Sequence, residues 1–419
     1  MQKLVIKGGN VLEGEIRLQG AKNSALPLLA ASVLCRGETV FENCPVLTDV
    51  FSACRILTLA GCRCNMKDHT VSVCADGLKC SEIPENLMQE MRSSIVFLGA
   101  FLGRTGFCQV YYPGGCELGP RPIDIHLDAL CKMGARIDRN EGRLCCSVQG
   151  RLQGCRINLK FPSVGATENI MLAAVLAKGE TVIFNAAREP EICDLAEFLR
   201  RCGARIKGDG ESTVIIQGVD ELRGCTYSIM PDRIAGITYL SAGAATGGTI
   251  SLSGTKNACM DNVLPVLEQA GCRIEKAENA VFLKAPKRLQ AVSRLRTMPH
   301  PGFPTDVQPV IMALMASAKG VTVFEENIFE CRYRHADGLI QMGAEICVSG
   351  RTAVVSGIQR LCGAHVAAAD LRGGAALVIA ALAAEGITEI RQIHHIDRGY
   401  ENMEKTLKCA GADILRISQ

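Results

Sequence analysis

The sequence predicts an α/β protein of two globules, each made of three repeated units whose helices are buried inside a shell of sheet. Three observations carry this expectation. The chain has 419 residues, past the size at which a single hydrophobic core keeps growing. A short ending of glycine, a small residue, any residue and an Ile-like residue recurs along it. Six Ala-rich segments are apolar on every face, the pattern of helices without a solvent side.

The recurring ending is Gly61-Cys62, Gly134-Ala135-Arg136-Ile137, Gly203-Ala204-Arg205-Ile206, Gly271-Cys272-Arg273-Ile274, Gly343-Ala344-Glu345-Ile346 and Gly411-Ala412-Asp413-Ile414. Its glycines are 73, 69, 68, 72 and 68 residues apart, so six copies of one unit account for the whole chain. Each unit starts with an apolar helix, expected at Ala25–Leu34, Ser94–Leu102, Thr167–Ala177, Ile234–Ala245, Val307–Ala318 and Gly374–Ala384. A glycine follows (Gly37, Gly106, Gly179, Gly247, Gly320, Gly386), the residue type that caps a helix C-terminus. A β-rich run comes next, such as Thr39-Val40-Phe41, Thr181-Val182-Ile183-Phe184 or Thr249-Ile250-Ser251-Leu252. A second helix is amphipathic. In the second unit Pro122 stands near its start, Ile123, Leu127, Leu130 and Cys131 share a face, and Gly134 stops it. Short strands such as Arg143–Val148 close the unit. The best boundary between globules lies near Tyr227–Pro231, and the first twenty residues fit either globule.

Composition excludes several function classes. Lys and Arg number 46 against 43 Asp and Glu, a net charge of +3, too weak for a nucleic-acid or polybasic membrane surface. Trp is absent and aromatics make only 4%, so platforms for stacking single strands are scarce. The start Met1-Gln2-Lys3-Leu4-Val5-Ile6-Lys7 meets glycine before an apolar core forms, so a signal peptide is not expected, and the longest apolar stretches fall far short of a membrane span. A cytoplasmic protein is expected. The 22 cysteines are scattered, without a CxxC, and read as small buried hydrophobes in a reducing cell.

The charges fit that bland picture less well. Helices buried on every face are preceded or begun by Lys22-Asn23-Ser24, Met91-Arg92-Ser93, Pro231-Asp232-Arg233, Pro304-Thr305-Asp306 and Asp370-Leu371-Arg372. Helix N-termini already attract anions, so cations there do little for helix stability. They make sense beneath a multiply charged anionic ligand. Three segments add chemistry. The Gly/Pro-rich loop Tyr112–Pro122 holds Cys116 beside Arg121, a setting that favours a thiolate. His300–Asp306 is a constrained turn delivering a carboxylate to a helix start, where N-capping is the simpler role. His394–Glu401 is dense and polar, but two adjacent histidines lack helical ligand spacing, so no metal is read there. No Walker motif, GxGxxG fingerprint, HExxH or nucleophile elbow stands out.

These segments, in order, resemble the UDP-N-acetylglucosamine 1-carboxyvinyltransferase family of the EPSP synthase superfamily. The matching stretches run the length of the chain: Gly20–Asn23, Met91–Ser94, Pro113–Cys116 through Arg121–Asp124, Ser163–Thr167, Ala187–Glu191, Pro231–Arg233, Phe303–Asp306, Asp370–Arg372 and His395–Glu401. The resemblance implies two inside-out α/β domains (22–229, and a discontinuous second of 1–21 with 230–419), with the active site in the cleft between them. It implies enolpyruvyl transfer from phosphoenolpyruvate to the 3′-hydroxyl of UDP-N-acetylglucosamine. The reaction adds, then eliminates phosphate, passing through a tetrahedral ketal, without metal or organic cofactor. That step opens peptidoglycan precursor synthesis, and so bears on cell-wall biogenesis, cell shape and division.

Roles follow residue by residue on the same resemblance. Lys22, Arg121 and Arg398 would hold the phosphate of phosphoenolpyruvate, Arg332 and Arg372 its carboxylate, and Asn23 would line that pocket. Arg92, Arg121, Pro122, Ile123, Asp124, Ile125, Ser163, Val164, Asp306 and Ile328 would hold the UDP-sugar. Asp306 would be the general base for the 3′-hydroxyl. Cys116 would give a proton to the methylene carbon and take the covalent inhibitor fosfomycin, on a Gly-rich loop suited to act as a lid. Two positions depart from the family pattern: Phe161-Pro162 precedes Ser163 where Lys or Ala is usual, and Cys331 precedes Arg332 where Asn is common. The rivals are 5-enolpyruvylshikimate-3-phosphate synthase and a catalytically silent UDP-sugar-binding paralogue. Nucleic-acid and membrane partners are not expected.

Overall fold

The computed structural model describes residues 2–114, 118–119, 122–140, 142–256 and 258–418. They form two compact units. One comprises Met1–Gln19, Glu117–Pro120 and Pro231–Gln419, the other Gly20–Cys116 and Arg121–Met230.

Each unit is built around three apolar helices. Lys22–Ala31, Val96–Thr105 and Val164–Ala174 serve the Gly20 unit; Arg233–Ala245, Gln308–Met315 and Leu371–Ala383 serve the Pro231 unit. Nearly every residue of these helices is buried, and each set belongs to its own hydrophobic cluster. Three begin a turn earlier than expected, at Lys22, Val164 and Leu371. Their first turns hold polar or small residues outside the apolar run, and that turn has free N–H groups and accepts polar side chains. Gly106 caps its helix in the left-handed region (φ 73°). Gly37, Gly179, Gly320 and Gly386 do not; their helices end earlier and they turn the chain into the following strand.

A second helix of each repeat follows: Thr48–Leu59, Asp124–Lys132, Pro190–Arg201, Leu264–Gln269, Ala336–Gln341 and Met403–Cys409. Each ends two residues before a signature glycine, whose φ lies between 93° and 108°. A side chain would be strained there, which is why the repeat is visible as glycine.

The sheets repeat as well. In Arg156–Asn158, Glu180–Phe184, Thr213–Gln217 and Arg205–Lys207, neighbours in that order, the first pair is parallel and the others antiparallel. The same order recurs in Arg294–Arg296, Val321–Glu325, Thr352–Ser356 and Glu345–Ser349. Two strands are exchanged where the chain passes from one unit to the other. Glu13–Arg17 precedes the Lys22 helix in sequence but pairs with Thr249–Ser253; Thr226–Ser228 precedes the Arg233 helix but pairs with Glu38–Glu42. Gln2–Lys7 completes the last sheet, with Leu4 opposite Ile390 and Arg416.

The cysteines are less uniform than expected. Cys35, Cys108 and Cys146 are buried, but Cys131, Cys259, Cys331, Cys347, Cys362 and Cys409 are exposed. Several occupy surface helices and outer strand faces, where alternate positions meet solvent. No described helix is long and apolar enough to cross a membrane.

Candidate active site

In the Pro231 unit three of the expected residues meet. Asp306 precedes the Gln308–Met315 helix but does not cap it. Its Oδ1 accepts from Nη2 of Arg332 and its Oδ2 from Nη2 of Arg372, both at 3.3 Å. The two guanidiniums are almost wholly buried, with side chains 1% and 3% exposed, while Asp306 is 29% exposed. Arg332 lies on a 3-10 turn, Arg332–His335, and reaches back to donate from Nε and Nη2 to the carbonyl of Thr305 at 3.1 and 2.8 Å. Buried Glu326 gathers the rest of this corner. It accepts from the Thr305 hydroxyl and from the backbone N–H groups of Ile328 and Phe329. Ile328 is thereby drawn to the Asp306 turn.

Arg372 sits in the first turn of Leu371–Ala383, which Asp370 caps by accepting from the Arg372 and Gly373 N–H groups at 3.0 Å. Asp370 also lies 3.8 Å from Arg332 Nη1. Gly373 cannot carry a Cβ, which would fall 2.7 Å from Asp370 Oδ2 and 2.9 Å from the His335 Cβ. Arg372 Nη1 donates to the Tyr400 hydroxyl at 3.2 Å, and Arg372 Nε has no hydrogen-bond partner among the described residues. His335 is buried, and burial pushes its imidazole down to about 4, partly opposed by Asp370. It is therefore neutral, and adds no positive charge beside the guanidiniums. Arg398 is half-buried at the end of the 3-10 segment Ile393–Arg398, two residues before Tyr400.

The Gly20 unit holds the other set. Lys22 is the first residue of its helix, buried, with Nζ 2.7 Å from Oδ2 of Asp49 in the first turn of Thr48–Leu59. Asn23 beside it is exposed. Below them Asp194 accepts hydrogen bonds from the Ser24 and Tyr227 hydroxyls. Burial raises the Asp194 carboxyl, against the lowering effect of those bonds.

Arg92, Pro122, Ile123 and Asp124 line one cavity of about 220 Å³, with Tyr112, Pro113, Leu127 and Arg139. Arg92 Nη1 donates to the Pro113 carbonyl at 3.2 Å. Asp124 starts Asp124–Lys132, where a carboxylate suits the helix dipole, and Ile125 follows it, half-buried. Ser163 caps Val164–Ala174, its hydroxyl accepting from Ala166 N at 3.4 Å. The two helices are locked together by Asn169, whose amide donates to His126 Nδ1 at 2.8 Å and to the Ile95 carbonyl. Of the two departures, Phe161 is 41% exposed, and Cys331 is exposed with its N–H donating to the Leu118 carbonyl. Cys116 and Arg121 lie outside the described residues.

Sequence reasoning missed Asp49, Asp194, Glu326 and Tyr400. Asp49 is a counter-charge and Glu326 an acceptor for a turn, recognisable only once the cation or the turn has been brought to them. Tyr400 stood in a stretch already singled out, two residues from Arg398, yet no residue type signalled its contact with Arg372.

A family model described as EPSP synthase (3-phosphoshikimate 1-carboxyvinyltransferase) matches residues 6–407. The chain is 47% identical over its whole length, and that of the relative, to UDP-N-acetylglucosamine 1-carboxyvinyltransferase 2 of Caldanaerobacter subterraneus subsp. tengcongensis. It is likewise 47% identical, at full coverage of both chains, to UDP-N-acetylglucosamine 1-carboxyvinyltransferase of Nitratidesulfovibrio vulgaris. Among solved structures, the enolpyruvyl transferase NikO from Streptomyces tendae superposes with a TM-score of 0.90 at 26% identity, over 99% of this chain and 98% of that one. The chain belongs to the EPSP synthase family of enolpyruvyl transferases, together with its UDP-N-acetylglucosamine 1-carboxyvinyltransferase relatives.

Proposed function

We propose that the protein transfers the enolpyruvyl group of phosphoenolpyruvate to the 3′-hydroxyl of UDP-N-acetylglucosamine and releases phosphate. One observation supports it above the rest. A partly exposed carboxylate, Asp306, is held by two buried guanidiniums, Arg332 and Arg372, and the buried Nε of Arg372 has no hydrogen-bond partner among the described residues. A guanidinium edge suits the paired oxygens of a carboxylate, and a positioned carboxylate suits removal of a hydroxyl proton. On this reading Asp306 takes the 3′-hydroxyl proton as the oxygen bonds to C2 of phosphoenolpyruvate, while Cys116 protonates C3. The resulting ketal loses a C3 proton and phosphate to restore the double bond. Lys22, Arg121 and Arg398 offset the phosphate charge, and Asn23 lines that pocket. Arg332 and Arg372 offset the carboxylate. Arg92 and the residues from Arg121 to Ile125, with Ser163, Val164 and Ile328, receive the UDP-sugar. The reading implies a cytoplasmic enzyme of peptidoglycan precursor synthesis with fosfomycin as a covalent inhibitor at Cys116.

The test is inorganic phosphate released from phosphoenolpyruvate, with UDP-N-acetylglucosamine and shikimate 3-phosphate offered in parallel. Release with the UDP-sugar alone is expected. Release with shikimate 3-phosphate instead would move the chain to the other branch of its family, and binding without release would make it a silent paralogue. Fosfomycin should inactivate the parent and leave Cys116→Ser untouched; equal inactivation of both would remove Cys116 from the reaction.

A further inference from the structure

What fixes the Arg372 guanidinium is a chain of buried hydroxyls. Tyr400 and Thr238 are each 1% exposed. The Thr238 hydroxyl lies 2.8 Å from the Ile234 carbonyl oxygen, which only accepts, so the Thr238 proton points there. Thr238 Oγ1 also lies 2.9 Å from the Tyr400 hydroxyl. With its proton committed, Thr238 must accept, and Tyr400 must donate. Arg372 Nη1, 3.2 Å from the same phenolic oxygen, has only protons to offer. One arrangement remains: Arg372 donates to Tyr400, Tyr400 to Thr238, Thr238 to Ile234. Burial raises the phenol further above its ordinary range, against the lowering effect of Arg372, so the donor stays protonated.

The ring of Tyr400 adds a second restraint. Its centroid lies 5.5 Å from Arg372 Cζ, and Tyr239 packs edge-on against it at 6.4 Å. Tyr400 thus occupies Nη1 and sets its ring beside the guanidinium. Nε and Nη2, which together form its side fork, point elsewhere. Nη2 meets Asp306, and Nε has no hydrogen-bond partner among the described residues.

We propose that Tyr400 and Thr238 are positioning residues for the proposed reaction, holding Arg372 so that its Nε–Nη2 edge is presented to the carboxylate of phosphoenolpyruvate. This rests on the function proposed above. A planar fork gains strength from alignment, so a guanidinium free to rotate would bind the same anion less well.

The test is Tyr400→Phe, which removes one oxygen and keeps the ring under Arg372. KM for phosphoenolpyruvate should rise about tenfold, with kcat falling much less and KM for UDP-N-acetylglucosamine unchanged, the scale of one hydrogen bond to a charged group. Thr238→Val should raise the same KM about threefold and add little in the Tyr400→Phe background, because both break one chain. Thr238→Ser should restore parent values. An unchanged KM for phosphoenolpyruvate in Tyr400→Phe, or an equal rise for both substrates, overturns the proposal. If the parent releases no phosphate, the functional reading has failed. The positioning claim is then read from the side-chain 15N signals of Arg372: rotation about Cζ–Nη1 should quicken in Tyr400→Phe, and unchanged rotation refutes the claim.

Discussion

The Lys22–Ala31 and Leu371–Ala383 helices begin with the same electrostatic problem and solve it differently. Each buries a cation in its first turn, against the positive end of the helix dipole. At Lys22 the ammonium meets the Asp49 carboxylate, and no side chain caps the helix. At Arg372 a carboxylate caps the helix through its backbone N–H groups, and a second carboxylate and a phenol hold the guanidinium, so its plane as well as its charge is fixed. The difference matches the chemistry asked of each. A point charge on a flexible stem can follow a phosphate, whereas a planar fork has to be aimed at a carboxylate.

The largest expected effects lie in the Arg372 corner. Asp306→Ala removes the proposed base and the charge that both guanidiniums share. Phosphate release with both substrates saturating should fall about 10³-fold. Near-parent turnover would exclude Asp306 as the base and leave it a counter-ion only. Arg372→Lys keeps the charge and loses the plane. Its kcat/KM for phosphoenolpyruvate should drop about a hundredfold, mostly through KM. If Lys serves as well as Arg, aim does not matter here and the contrast between the two helix starts fails.

At the Lys22 corner the expected effect is on stability. Asp49→Asn leaves the buried ammonium with a neutral partner beside an uncapped helix start. Urea unfolding should show a loss of about 3 kcal/mol. The double variant Lys22→Met with Asp49→Asn should regain most of that loss while remaining inactive. An Asp49→Asn protein as stable as the parent would mean that this pair does not offset the burial of Lys22.

The repeat, the buried helices and the signature turns were legible because each leaves a periodic mark in apolar or glycine residues. Cations at helix starts were legible because they contradict the dipole. What stayed hidden was the second layer. Asp49 lies in an ordinary amphipathic helix, Glu326 in an unremarked segment and Thr238 inside an expected apolar helix, and no local pattern says which cation, turn or phenol the fold will bring to them. The capping role offered for the carboxylate at 306 shows the same limit. Local sequence favoured a cap, whereas no side chain caps the Gln308–Met315 helix and Asp306 faces the guanidiniums.

The smallest expected effect reverses the comparison, with a buried acid in place of a buried cation. Glu168, in the first turns of Val164–Ala174, is 5% exposed. Burial, reinforced by the charges of Glu191 and Glu189, holds its carboxyl well above the usual range. A carboxyl raised on folding favours the folded state while protonated. That contribution is complete below its unfolded value near 4.3 and drains away as pH rises towards the folded value. The parent should therefore lose stability relative to Glu168→Gln as pH rises from 5 to 8. Unfolding curves of both proteins at the two pH values cancel the titration of every other group. A parent that gains on the variant as pH rises would mean that Glu168 is ionised and paired, and so resembles Asp49 rather than opposing it.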